Sequence, residues 1–168
     1  DFELAIQWLI DAGLAYKVQR VNAPRLPFKF YEDLNAFKLF MLDVGLMGAM
    51  TETSAESMLV GDNVFSEYKG AFTELFVFTQ LKSRHFSLYY HAVESSTIEI
   101  DFLTQWHDRV IPIEVKAEVN VKAKSLHTFI NNNPELQGLR FSMLPYKKQD
   151  WVINVPLYAC LVPFDYYR

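Results

Sequence analysis

Apolar residues recur along the chain at two spacings, and each spacing predicts one type of element. A helix is predicted first, from apolar residues three and four positions apart: Ile6, Leu9, Ile10 and Leu14. Gly13 is placed to end this helix, and 15–21 predicts a strand. Prolines in 22–27 exclude regular structure there, and 37–42 is a second apolar run. Asp43 is placed to cap a short helix after it.

The rest of the chain alternates predicted helices with predicted strands. A long helix rich in aromatic residues is predicted over 66–82. Strands are predicted at 86–91, 97–104, 110–118, 139–144 and 151–162. A further helix, 124–132, lies between the third and fourth of these strands and stops at Asn133-Pro134. This order predicts an α/β or α+β domain around one sheet.

A domain boundary is predicted near residue 50. Residues 1–50 predict one helix and two strands, an accessory segment of winged-helix-like type that is too small to hold a core of its own. The alternative is that these residues form the first layer of the main domain. Residues 51–168 would hold the remaining strands and helices and the candidate chemistry.

Composition narrows the class of protein. Of 168 residues, 51% are hydrophobic and 21% charged, which excludes a disordered chain. No apolar run approaches the roughly 18 residues of a membrane span, so no membrane partner is expected. The single Cys160 excludes a disulfide framework and fits a reducing, cytoplasmic setting. The net charge of −4 argues against a broad polyanion-binding surface, and the abrupt start at Asp1 suggests a piece of a longer protein.

The candidate chemistry lies in a predicted hairpin over 97–116. His107-Asp108 fits a two-residue turn, so residues whose numbers sum to 215 would oppose one another. Asp101 would then face Glu114, and Glu99 would face Lys116. Strand alternation puts these four charged side chains on one face. It puts the following apolar side chains on the other: Ile100, Phe102, Ile111, Ile113 and Val115.

Two opposed carboxylates need a cation or a proton. Directly opposed residues have Cβ atoms about 4.5–5.5 Å apart, so ionised Asp101 and Glu114 would repel each other. Mg²⁺ relieves this cost, because carboxylate oxygens are its preferred protein ligands. Lys116 follows Glu114 on the same face at about 6–7 Å, within reach of a metal-bound water or a phosphate oxygen. The alternative is an ordinary solvent-exposed face whose charges neutralise one another.

The spacing of these residues resembles the motif of the PD-(D/E)XK nuclease superfamily. Glu114-Val115-Lys116 matches the second half of that motif, and Asp101 matches the first half without the proline that usually precedes it. Glu74, on the helix before the hairpin, matches an additional glutamate of these nucleases. The resemblance covers about 55–165 and implies an α/β fold with a restriction-endonuclease-like core, in which a mixed β-sheet is flanked by helices.

The resemblance also implies a role for each residue. Asp101, Glu114 and the backbone carbonyl of Val115 would hold Mg²⁺ or Mn²⁺, and Glu74 would be an outer ligand or a second-metal contact. Lys116 would orient the attacking water and help to deprotonate it. The metal would stabilise charge on the phosphodiester and lower the pKa of its water.

Three further charged residues are weaker candidates. Lys122 and Lys124 could hold a neighbouring phosphate, although solvated surface is the alternative interpretation of both. Glu99 is predicted to be a salt-bridge partner for Lys116 and not a metal ligand.

A narrower resemblance is to an uncharacterised domain found C-terminal to AAA+ ATPase modules in bacterial and archaeal proteins. It rests on an ordered set of segments: Gly13-Leu14, Phe37-Lys-Leu-Phe40, Asp43-Val-Gly-Leu46, Gly70 to Val77, and Ile100-Asp-Phe-Leu103 with Glu-Val-Lys. It implies an ATPase domain in cis that would bind ATP. This sequence has no Gly-x-x-x-x-Gly-Lys-Ser/Thr phosphate loop of its own.

Two function classes follow. The first is metal-dependent hydrolysis of DNA phosphodiesters, which the Asp101, Glu114 and Lys116 set favours. The second is a catalytically inactive module of the ATPase that binds DNA or protein or drives oligomerisation, which the acidic net charge favours. Apolar groups such as Trp8 or Phe40 are expected to be exposed in the isolated chain and to cause self-association.

Overall fold

Eight strands form one mixed sheet in the computed structural model, which describes residues 2–53, 63–93, 96, 98–117 and 123–166. The strands are β1 (Ala15–Val21), β2 (Glu32–Met41), β3 (Leu88–Ala92), β4 (Glu99–Trp106), β5 (Arg109–Lys116), β6 (Gly138–Ser142), β7 (Lys147–Lys148) and β8 (Val152–Pro156). Their spatial order is β2-β1-β3-β4-β5-β6-β8-β7. Pairing is parallel between β1 and β3, β5 and β6, and β6 and β8, and antiparallel elsewhere. The predicted α/β class with a mixed, helix-flanked sheet is confirmed.

Local residue chemistry accounts for the end of the first helix and the start of the second. They are α1 (Phe2–Asp11), α2 (Val44–Met50), α3 (Asn63–Ser83), α4 (Lys124–Asn132) and α5 (Pro163–Tyr166), with short 3₁₀ turns at Phe28–Tyr31 and Leu157–Ala159. Gly13 follows α1 with a φ of +71°, a conformation that glycine adopts without strain. Asp43 caps α2 as predicted, because its Oδ1 accepts the N–H of Leu46 at 2.8 Å. No helix in the described part of the chain is long and apolar enough to cross a membrane.

The central sheet is covered on both faces. On one face, α3 contributes Leu75, Val77, Phe78 and Leu81 to a buried cluster that includes Phe102 and Ile113. On the other face, α4 contributes Leu126, Phe129 and Ile130 to a second cluster that includes Leu103 and Val110. Val110 and Glu114 lie four residues apart on β5 and therefore share a face. Glu114 therefore lies on the face that α4 covers and is buried, so the alternative of an ordinary solvent-exposed charged face is wrong for Glu114.

An irregularity in β4 changes which side chains share a face. Tyr89 pairs with Leu103 but His91 pairs with Ile100, so two residues of β4 oppose the single residue Tyr90. Such a bulge interrupts the simple alternation of side chains. Ile100 consequently joins the cluster under α4, while Phe102 joins the cluster under α3. The prediction that these two side chains share one apolar face is wrong for this reason.

The N-terminal segment extends the main sheet. β1 pairs with β3, and Phe40 of β2 stacks on Phe78 of α3 with ring centroids 4.3 Å apart. A helix followed by an antiparallel strand pair is present as expected, but these strands share the sheet and core of the rest of the chain. This arrangement agrees with the alternative in which residues 1–50 are the first layer of the main domain. Trp8 is 70% exposed as expected, whereas the expected exposure of Phe40 is wrong.

Candidate functional site

The hairpin of β4 and β5 has the register that the sequence predicts. Its five pairs, from Phe102 opposite Ile113 to Trp106 opposite Arg109, all sum to 215. His107 occupies the turn with a φ of +52°. Paired main chain ends at Phe102 and Ile113, so Asp101 and Glu114 are the first residues beyond it.

Asp101 lies where the two strands stop pairing. Its Oδ2 accepts the main-chain N–H of Val115 at 2.7 Å, so a side chain takes the hydrogen bond that a strand would otherwise accept. The N–H and C=O of one residue project to the same side of an extended strand. The carbonyl of Val115 is therefore directed to the same side of β5 as the N–H that Asp101 accepts.

Glu114 is buried, with only 3% of its surface exposed. Its Oε1 accepts a hydrogen bond from Nζ of Lys116 at 2.5 Å, and Lys116 itself remains partly exposed. Its Oε2 is buried and has no hydrogen-bond partner in the described part of the chain. An unpaired buried carboxylate oxygen is costly, so a cation or a proton at this atom would stabilise the folded protein.

Burial and mutual repulsion keep these carboxylates from ionising readily. Burial raises the pKa of Asp101 to about 7, and the negative charges of Glu114 and Glu74 add to the effect. Burial also raises the pKa of Glu114, against the opposing influence of Lys116. A divalent cation would favour the ionised form of both groups and displace the proton.

Glu74 and Glu99 meet at a residue that sequence reasoning missed. Nζ of Lys38, on β2, lies 3.2 Å from Oε1 of Glu74 and 2.5 Å from Oε1 of Glu99. The predicted pairing of Glu99 with Lys116 is therefore wrong, because Lys116 pairs with Glu114. The sequence shows only a lysine inside an apolar run at Lys38, and its role depends on β2 joining the sheet.

A second missed group is a row of buried polar residues beside Glu114. Arg140 on β6 is aligned with Glu114, and Asn154 on β8 is aligned with Arg140. Nε of Arg140 donates to Oδ1 of Asn154 at 2.9 Å, and Oγ of Ser142 donates to the same oxygen at 2.7 Å. Nδ2 of Asn154 donates to the carbonyls of Leu144 and Pro145, so this row holds the loop after β6 against the sheet.

The structure describes one of the two weaker phosphate candidates. Lys124 is exposed at the first residue of α4, which leaves both interpretations of this side chain open. Lys122 lies outside the described residues.

The donor set suits one hard cation. Among the residues that the structure describes, no group of three or more His, Cys, Asp or Glu side chains is close enough to hold a metal ion. Mg²⁺, however, commonly uses one or two carboxylates and keeps several waters. Asp101, the unpaired Oε2 of Glu114 and the Val115 carbonyl match that requirement, while Glu74 is engaged by Lys38.

Fold and site together define an α/β protein with an acidic centre at the open end of a hairpin. Residues 69–159, more than half of the chain, match the family model of a domain of unknown function, DUF4143, and the chain belongs to this family. Residues 1–57 match the model of another domain of unknown function, DUF8612. No curated protein and no solved structure matches the chain. Asp101, Glu114 and Lys116 lie within the first match, and Lys38 lies within the second.

Proposed function

We propose that this chain is a nuclease-like domain that hydrolyses DNA phosphodiesters with Mg²⁺ or Mn²⁺, attached in a longer cytoplasmic protein to an AAA+ ATPase. One observation carries the proposal: Asp101 and Glu114 are the first residues beyond the last hairpin pair, the buried Oε2 of Glu114 has no hydrogen-bond partner among the described residues, and Lys116 binds the other oxygen of Glu114. The mixed sheet with helices on both faces is compatible with a restriction-endonuclease-like core.

Each group of the candidate site would have its own role in hydrolysis. Asp101, Glu114 and the Val115 carbonyl would hold the metal, whose chemistry is to stabilise phosphodiester charge and to acidify a water. Glu114 holds the Nζ of Lys116, and the Lys116 side chain is partly exposed to solvent. Its ammonium can therefore orient the attacking water. Its positive charge favours loss of a proton from that water and offsets charge that develops on the phosphate. Attack of the water oxygen on phosphorus would form one P–O bond and break the ester P–O bond, while the proton of the water passes to solvent and the leaving oxygen takes up a proton from solvent.

The loop after β6 favours a nucleic acid as the source of the phosphodiester. Ser142 is aligned with Lys116 on the neighbouring parallel strand, so Met143 continues from the same edge of the sheet. Met143 and Tyr146 are exposed, and both residues of β7 are exposed lysines, Lys147 and Lys148. Ammonium groups contact phosphates and an exposed aromatic ring stacks on bases, which suits a polynucleotide strand.

A catalytically inactive binding module is the second candidate. Large apolar side chains of the N-terminal segment are exposed: Phe2, Trp8, Phe30 and Leu34. With a net charge of −4, this surface fits a protein partner, either the cis ATPase domain or a second copy, better than DNA. Self-association of the isolated chain would follow from it.

Mn²⁺ titration calorimetry paired with nicking of supercoiled plasmid separates the two functions. The parent should bind Mn²⁺ and nick the plasmid in a metal-dependent manner. Lys29→Ala is the matched control for the variant Lys116→Ala. Lys29 is exposed and lies in the 3₁₀ turn before β2. If the parent neither binds Mn²⁺ nor nicks DNA, the nuclease proposal fails and the binding module replaces it.

A further inference from the structure

Lys38 is surrounded by carboxylates that would otherwise attract a metal ion. Its ammonium contacts Glu74 of α3 and Glu99 of β4, and it lies 5.2 Å from the ring centroid of Tyr90. Asp101 attracts the same ammonium from further away. The positive charge of Lys38 is therefore shared among three acidic side chains, and one of these, Asp101, belongs to the candidate metal site.

The environment of Lys38 keeps it charged. Burial opposes the ammonium, but attraction to Glu74, Glu99 and Asp101 outweighs burial and raises the pKa of Lys38. A divalent cation bound to Glu74 and Glu99 would have to displace this ammonium or lie next to it, and like charges at such short range repel strongly.

We propose that Lys38 takes the place of a second divalent cation, so that the site holds a single metal ion at Asp101 and Glu114. This inference rests on the proposed function, which places the single metal ion at Asp101 and Glu114. It assigns Glu74 to Lys38 and not to a metal, whereas the resemblance implied an outer-ligand or second-metal role for Glu74.

The two matched segments contribute different parts of this arrangement. Lys38 lies within residues 1–57, whereas Glu74, Glu99 and Asp101 lie within residues 69–159. Stacking of Phe40 on Phe78 holds β2 against α3 and so places Lys38. The N-terminal segment thus supplies the cation that sets how many metal ions the acidic centre accepts.

The test is the Mn²⁺ stoichiometry of the full chain, measured by titration calorimetry at neutral pH. The parent should bind one Mn²⁺, Lys38→Met should bind two, and Lys38→Met/Glu74→Gln should return to one. Lys17→Met is the matched control and should bind one, since Lys17 is on the adjacent strand and its Nζ lies over the Phe37 ring, 4.3 Å from the centroid. A purely structural role for Lys38 would change stability without changing the stoichiometry.

The inference and the proposed function fail in different ways. Two Mn²⁺ in the parent, or an unchanged count in Lys38→Met, would overturn the role of Lys38 and leave the metal site at Asp101 intact. No Mn²⁺ in the parent but one in Lys38→Met, lost again with Glu74→Gln, would support Lys38 while removing the proposed nuclease centre. If circular dichroism shows Lys38→Met to be unfolded, Lys38→Gln replaces it, and a parent count above one still refutes the inference.

Discussion

The main-chain N–H of Val115 donates to Oδ2 of Asp101 at 2.7 Å, and these residues lie two and one positions beyond the last main-chain pair of the β4–β5 hairpin. This bond holds the Asp101 carboxylate between two separating strands. The hydrogen bond favours the ionised carboxylate, but burial and the neighbouring charge of Glu114 outweigh it. The Asp101 carboxyl group is therefore held in position, but its negative charge is only partly compensated by its neighbours. A ligand for a cation has both properties.

Asp101→Asn should weaken metal binding while the fold persists. The amide oxygen can still accept the Val115 N–H, but one negative charge is lost at the metal. Outer-sphere changes already cost roughly 10–100-fold in metal affinity, and we expect at least that loss for a direct ligand. Mn²⁺ titration calorimetry measures it, with circular dichroism to confirm the fold. An affinity equal to that of the parent would remove Asp101 from the metal site.

Lys116→Ala should retain Mn²⁺ binding and lose DNA cleavage. Removing the ammonium eliminates repulsion of the metal, so the affinity should stay the same or increase. The attacking water loses its orienting charge, which we expect to lower the nicking rate by on the order of 10²–10³. Lys29→Ala should nick at the parent rate. If Lys116→Ala nicks plasmid as fast as the parent, the role assigned to this lysine is wrong.

In the metal-free protein, the contribution of Asp101 to the free energy of unfolding should fall as the pH rises from about 4 to about 7. The folded state holds a proton on Asp101 up to a pKa of about 7, whereas the unfolded chain releases it near the ordinary value of 3.8. The folded state therefore binds more protons in this window, and the free energy of unfolding falls with increasing pH. Denaturant unfolding in EDTA should show a parent-minus-Asp101→Asn difference that decreases across the window. Saturating Mg²⁺ should suppress the decrease, and a pH-independent difference would contradict the assignment.

Phe40→Ala should destabilise the whole chain. Phe40 is buried against Phe78, and truncation of a core phenylalanine to alanine costs about 3–5 kcal/mol. Phe30→Ala, at a residue that is 84% exposed on the same segment, should change stability by no more than about 0.5 kcal/mol. Guanidinium unfolding followed by tryptophan fluorescence measures both. A Phe40→Ala loss below about 1 kcal/mol would indicate that residues 1–50 fold apart from the rest.

Local sequence signals determined most of the elements and the hairpin. The period of apolar residues placed β1 and α4 at their observed bounds, and strand alternation put Glu114 and Lys116 on one face of β5. The His107-Asp108 turn set the register of the β4–β5 hairpin. The predicted end of β8 was wrong. This strand ends at Pro156, six residues before the predicted end, because proline lacks the N–H that continues a strand ladder.

Only the tertiary structure decided what surrounds the carboxylates. The bulge opposite Tyr90 separates Ile100 from Phe102, the cover of α4 buries Glu114, and the place of β2 in the sheet brings Lys38 to Glu74 and Glu99. Turn chemistry and the period of apolar residues act over a few neighbouring residues, so the features that depend on them can be predicted from the sequence. Lys38 and Glu74 are separated by 36 positions, and their contact depends on strand order and on the packing of Phe40 against Phe78.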